Sequence, residues 1–147
     1  MSTRFVLSLH VPGDPVPQGS LRSFERGGRV ITKPNNAGRL ERWRGDIRQA
    51  VGQKMRANGQ GLVTEPVKMT LRFGFTRPIS HLTSKGALRK GARALPVPDI
   101  DKLSRAVLDA LTGVAFVDDG QVAELWALKE YDPGVGGVYI SISEEEA

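Results

Sequence analysis

Two pairs of aspartates have the types and spacing for metal chemistry. Asp99 and Asp101 bracket Ile100 directly after Pro98. Proline holds the chain beside it in extended or turn geometry, and in extended chain residues i and i+2 share a face. That geometry turns both carboxylates toward one hard cation and Ile100 into the core. The second pair, Asp118-Asp119, follows the apolar run Val114–Val117 and precedes Gly120, as a turn closing a short buried segment. Adjacent carboxylates repel one another unless a cation or donors offset the repulsion. One helix and one short strand separate the pairs, a return distance that would bring them together around Mg²⁺ with several waters retained. Such a site suits metal-assisted phosphodiester hydrolysis, in which the cation polarises the phosphate and stabilises the leaving oxygen. Each pair also has a plain structural use, since Asp caps helix N-termini and Asp-Asp-Gly makes an exposed turn.

Other chemistries are poorly supplied. The chain has no cysteine, which rules out disulfides, thiolate zinc sites and a thiol nucleophile. His10 and His81 fall on a strand and in a loop without metal-ligand spacing, and no Walker-type loop or dinucleotide fingerprint occurs. No small-molecule cofactor is expected. Trp43 recurs at helical spacing with other apolar residues and reads as core, as does Trp126. No apolar run reaches the roughly 18 residues of a membrane helix, and the N-terminus carries no signal-peptide pattern, so a soluble cytoplasmic protein without membrane contact is expected.

The elements that must position the aspartates follow from periodicity. Phe5, Leu7, Leu9 and Val11 alternate with polar residues as a half-buried strand that ends at the prolines after it. Residues 20–33 read as a hairpin turning at Gly27-Gly28. Asn35 or Asn36 can cap a helix with the stripe Leu40, Trp43, Ile47, Val51 and Met55, stopping near Asn58-Gly59. Val67, Met69, Leu71, Phe73 and Phe75 mark the clearest strand. A loop from Pro78 to Pro98 follows, long enough to be functional or mobile. A second helix begins near Asp101, with Ile100, Leu103, Val107, Leu108 and Leu111 as its buried stripe and Gly113 as its stop. Strands at Val122–Tyr131 and Val138–Ile142 end the pattern. The order predicts a single small α+β (mixed α/β) domain over residues 1–147, one mixed sheet covered by two main helices.

Charge is split along this chain of 147 residues and net charge +5. Residues 1–98 carry 18 Lys/Arg against 5 Asp/Glu, whereas residues 99–147 carry 3 against 11, so the halves stand at +13 and −8. A basic half facing a polyanion beside an acidic, metal-holding half accounts for this, and so does a solvated basic face with an acidic tail at Glu144–Glu146. The candidate polyanion contacts are Arg22, Phe24, Arg26, Arg29 and Lys33 on the hairpin, Lys85, Arg89, Lys90 and Arg93 in the long loop, and Lys102.

Pro98-Asp99-Ile100-Asp101-Lys102-Leu103, then Ala106–Gly113, then Asp118-Asp119-Gly120-Gln121-Val122, resemble in order the RusA family of Holliday junction resolvases. The likeness is strong over roughly residues 96–131 and weaker in the N-terminal half. It implies a dimeric, Mg²⁺-dependent endonuclease, often encoded by phage or prophage, that cuts four-way DNA junctions by paired symmetric nicks in recombination and repair, with Mn²⁺ tolerated. It places the protein in the cytoplasm of a bacterial cell or phage-infected host. By motif position it implies Asp99, Asp101 and Asp119 as metal-binding catalytic carboxylates, with Asp118 supporting them. Family members often have Asn where Lys102 stands, and some have a catalytic Lys where Arg105 stands. Arginine stays charged near neutral pH, so Arg105 is expected to act electrostatically, holding phosphate or pairing with Asp101. A less selective Mg²⁺-dependent nuclease on branched DNA, or a junction-binding module without activity, are the competing expectations.

Overall fold

Alternation builds the sheet. In a computed structural model the described residues are 2–19, 21–34 and 37–146, without the side chains of 21–26 and 30–34. β4 (Val67–Phe75) buries Val67, Met69, Leu71, Phe73 and Phe75. β1 (Ser2–Pro12) pairs antiparallel with β6 (Gly137–Glu146), β6 antiparallel with β4, and β4 parallel with β5 (Val122–Tyr131), giving the order β1-β6-β4-β5. The β2–β3 hairpin (Leu21–Arg26, Arg29–Pro34) forms a separate two-stranded sheet. Its turn uses Gly27 and Gly28 at φ 60° and 78°, values that glycine adopts without a Cβ penalty.

Two helices cover one face of the four-stranded sheet. α1 (Ala37–Ala57) buries Leu40, Trp43, Ile47, Val51 and Met55, the spacing the sequence predicts. It ends at Gly59, φ 64°, with the Gln60 N–H returning to the Met55 carbonyl at 2.8 Å. The candidate caps Asn35 and Asn36 lie outside the described residues. α2 (Ile100–Leu111) buries Leu103, Ala106, Val107, Ala110 and Leu111 and supplies the crossover that a parallel β4–β5 pair requires. The result is a single small α+β domain with one core, as the element order predicts. No helix among the described residues is long and apolar enough to cross a membrane.

Several local expectations change. A register shift between Phe5 and Leu7 turns Val6 inward and leaves Phe5 exposed. Val114–Val117 is a turn with isolated bridges rather than a strand, and Val117 is exposed. Ile100 and Leu108 are only half-buried, because the adjoining β5 is an edge strand with no further strand beyond it among the described residues. Trp126 is not core: it stands 67% exposed on the open face of the sheet. Its indole N–H donates to Glu124 at 2.9 Å and holds that carboxyl below the ordinary carboxylate range. The acidic end is no loose tail either, since β6 runs to Glu146, Glu144 is buried against Arg4, and Lys68 Nζ reaches Glu145 at 3.1 Å.

Candidate active site

The β4–α2–β5 crossover carries all four aspartates, one pair at each end of α2. Asp99 precedes the helix in extended geometry (φ −68°, ψ 136°), yet its carboxylate makes no capping hydrogen bond. It is exposed, 3.8 Å from Lys102 Nζ. Asp101 lies in the first helical turn, so the two do not share an extended stretch as the sequence suggests. Its Oδ1 accepts from the Lys102 N–H at 2.9 Å, which leaves Oδ2 for another partner.

At the other end, Asp118 takes the structural role. Its Oδ2 accepts from the Gly120 N–H at 3.2 Å and caps the single 3₁₀ turn Asp119–Gln121. Gln121, to which the sequence assigns no role, is the keystone of this turn. Its Oε1 accepts from the Val117 and Asp118 N–H groups, both at 2.9 Å, while Nε2 donates to the Val63 and Glu65 carbonyls at 2.9 and 3.0 Å. All four contacts of one side-chain amide are therefore spent on fixing the backbone beneath Asp119. The Asp119 carboxylate is exposed and has no hydrogen-bond partner among the described residues.

Asp101 and Asp119 line one groove of about 500 Å³ between α2 and β5, shared with Ile100, Ser104, Arg105, Leu108, Leu125 and Ala127. They do not converge within it. β5 pairs Val122 with Val67 and Lys129 with Phe73, and Lys129 Nζ touches the Pro98 carbonyl at 2.8 Å. The two acidic ends thus differ by six residues of strand, about 20 Å at roughly 3.3 Å per residue. A crossover helix runs back against its strands, so its ends cannot meet, and the expectation that both pairs surround one ion in one chain fails on this geometry. No group of three or more His, Asp or Glu side chains able to hold a cation occurs among the described residues. The oxygen donors suit a hard cation, but one chain supplies only part of a shell.

Arg105 is exposed on the groove, one turn beyond Asp101, and makes no ion pair with it. Arg29, Lys85, Arg89, Lys90 and Arg93 are exposed. Arg89 also has a local task, since its Nε donates to the Leu82 carbonyl at 2.9 Å and its N–H to the His81 carbonyl at 2.8 Å. The loop of residues 78–98 is therefore an internally bonded excursion. The side chains of Arg22, Phe24, Arg26 and Lys33 lie outside the described residues.

Residues 12–143 match the family described as Endodeoxyribonuclease RusA, nearly the whole chain. The chain belongs to the RusA family. A curated relative, the Uncharacterized protein YqaN of Bacillus subtilis (strain 168), is 28% identical over 129 residues, which span 85% of this chain and 87% of that protein. RusA membership supports an endodeoxyribonuclease role and agrees with a basic surface beside exposed carboxylates. It directs attention to the groove between α2 and β5 as the place where those carboxylates meet solvent.

Proposed function

We propose that this RusA-family protein is a homodimeric, Mg²⁺-dependent endonuclease that resolves four-way DNA junctions by paired nicks. Asp99 and Asp101 of one copy and Asp119 of the other hold the cation. The observation that carries this reading is that no three acidic side chains of one chain gather where they could hold a cation among the described residues, Asp99 and Asp101 standing at the start of α2 and Asp119 beyond its other end. A second copy related by a two-fold axis offers the missing end, and does so twice, giving two equivalent sites. β5 supports the same reading: among the described residues it is an unpaired edge, with Leu125 exposed on the groove side and Trp126 and Leu128 exposed on the open face, apolar surface on both sides of an edge suited to self-association.

When bound, the cation supplies Lewis acidity toward the scissile phosphate. The chain's own groups do the rest. Asp99 and Asp101 bring negative charge on a helix start, Gln121 holds the turn that presents Asp119, and Arg105 offers a permanent positive charge to a phosphate in the groove. Arg29, Lys85, Lys90 and Arg93 track the backbones of the branched DNA, with junction preference coming from shape rather than base contacts.

Mixing of two variants tests this. Asp101→Asn and Asp119→Asn are each expected to bind junctions but not cut them. In an equal, exchanged mixture about half the dimers are mixed, and each of these carries one intact shared site. Nicking therefore returns in the mixture. A mixture as inactive as its parents would contradict a site shared between copies, and wild-type cutting by either variant would remove that aspartate from the cation shell.

A further inference from the structure

Lys129 lies on the helix-facing side of β5, opposite Phe73 of β4, and is half-buried. Its ammonium donates to the Pro96 carbonyl at 2.9 Å and to the Pro98 carbonyl at 2.8 Å. The Pro98 carbonyl carbon is bonded to the Asp99 nitrogen, so Nζ stands within about 5 Å of the Asp99 backbone by bond geometry alone. The stretch needs such a clamp. Two of its three residues are prolines, which have no N–H to pair, and it leaves the end of the long loop without joining the sheet. An ammonium, with three donors on a flexible stem, can hold two carbonyls at once.

The loop's other foot is pinned nearby. Arg77 Nη1 donates to the Arg93 carbonyl at 2.7 Å, and the guanidinium lies 4.1 Å from the centre of the Tyr131 ring. Both clamps thus engage the C-terminal end of β5, but only Lys129 grips the residues that lead directly into Asp99. Sequence reading passes over it, because a lone Lys in a strand carries no motif.

We infer that Lys129 is a positioning residue: by clamping the Pro96 and Pro98 carbonyls it fixes the entry to α2 and so sets Asp99 and Asp101 in cation-binding geometry. The inference rests on the metal-nuclease reading above. It assigns Lys129 no contact with DNA and no proton transfer.

The test is Lys129→Met in the full chain, which keeps the apolar stem and removes the donors. Three quantities are read: the Mg²⁺ concentration for half-maximal junction nicking, the rate at saturating Mg²⁺, and amide hydrogen exchange across Asp99–Leu103 in metal-free protein. The Mg²⁺ midpoint is expected to rise roughly tenfold to a hundredfold, as for other residues that orient metal ligands, with little loss of rate at saturation. Exchange at Asp99–Leu103 is expected to quicken while α1 exchanges as before. Lys129→Arg, whose guanidinium can donate to both carbonyls, should recover most of both effects. Lys129→Gln, with one donor group, falls between wild type and Met and serves if the Met variant does not fold. An unchanged midpoint with unchanged exchange overturns the inference, and so does a lower saturating rate with an unchanged midpoint. If wild type cuts nothing, the nuclease reading fails, while the exchange comparison still decides whether Lys129 holds the segment.

Discussion

Gln121 gives the sharpest quantitative expectation. Its amide makes four hydrogen bonds, two accepted from Val117 and Asp118 and two donated to Val63 and Glu65, all between 2.9 and 3.0 Å. A typical intramolecular hydrogen bond contributes about 0.5–1.5 kcal/mol net, so the set is worth roughly 2–6 kcal/mol. The residue is half-buried and water can reach part of the gap left by truncation, which favours the lower half of that range. Gln121→Ala should then cost about 2–3 kcal/mol, or a fall in Tm of roughly 6–10 °C for a domain of this size. Gln121→Glu is the discriminating partner. It is nearly isosteric and keeps the acceptor half, but it turns a carboxylate oxygen toward two carbonyls, so it should destabilise at least as much as alanine near neutral pH. Thermal melts followed by circular dichroism read both. Junction nicking below the melting range should fall with them, because the turn that presents Asp119 loosens. If both variants melt within about 1 °C of wild type, the four contacts do not carry the turn and the reasoning is refuted.

The remaining expectations concern DNA contact, capping and the two tryptophans. Changing Lys85, Lys90 and Arg93 together to Ala, with Arg89 kept because it holds the Leu82 carbonyl, should weaken junction binding and reduce the slope of log K against log salt by up to about 2.7; an unchanged slope would return the loop to a merely solvated surface. Asp118→Ala should cost about 1 kcal/mol through loss of its cap and leave binding of junctions intact, checked by melts and gel shift. Trp43→Ala should destabilise by about 3–5 kcal/mol, whereas Trp126→Ala should shift monomer stability by no more than about 0.5 kcal/mol; denaturant titrations that ranked them the other way would contradict the assignment of core and open face.

Much of the fold was legible because it rests on strict periodicity. The five inward residues of β4 and the five-residue stripe of α1 repeat at 2.0 and 3.6 residues, and each is buried where that period puts it. The exceptions come from what periodicity does not report: an uncovered face, a register shift and an ion pair distant in sequence. Trp126 has the composition of a core residue, but it occupies the uncovered face of an edge strand. Phe5 follows the alternation until a register shift moves its neighbour inward. Glu144 belongs to a charge run in sequence and to a buried pair with Arg4 in three dimensions.

The acidic site was legible in its residue types and not in its geometry. Counting one helix and one short segment between Asp101 and Asp119 says that the chain returns. It does not say that a crossover helix returns antiparallel to its strands and leaves its ends far apart. Gln121 and Lys129 were missed for a related reason. Lys129 acts on backbone groups 31 to 33 residues away, and two of the four Gln121 contacts lie 56 to 58 residues away, pairings that no local pattern encodes; the other two follow the capping-box spacing Asp118-x-x-Gln121, a local signal to which no role was attached.

The central claim is that two copies of this chain cut opposed strands of a branched junction through cation-dependent chemistry at the α2–β5 groove. Its most direct test is the wild-type protein on a labelled synthetic four-way junction and on a matched duplex, with Mg²⁺ and with chelator, mapping nicks on all four strands. The account predicts nicks at symmetry-related positions on one opposed pair of strands, only with Mg²⁺ and only on the junction. Equal cutting of the duplex, or junction binding with no nick at any Mg²⁺ concentration, would contradict it.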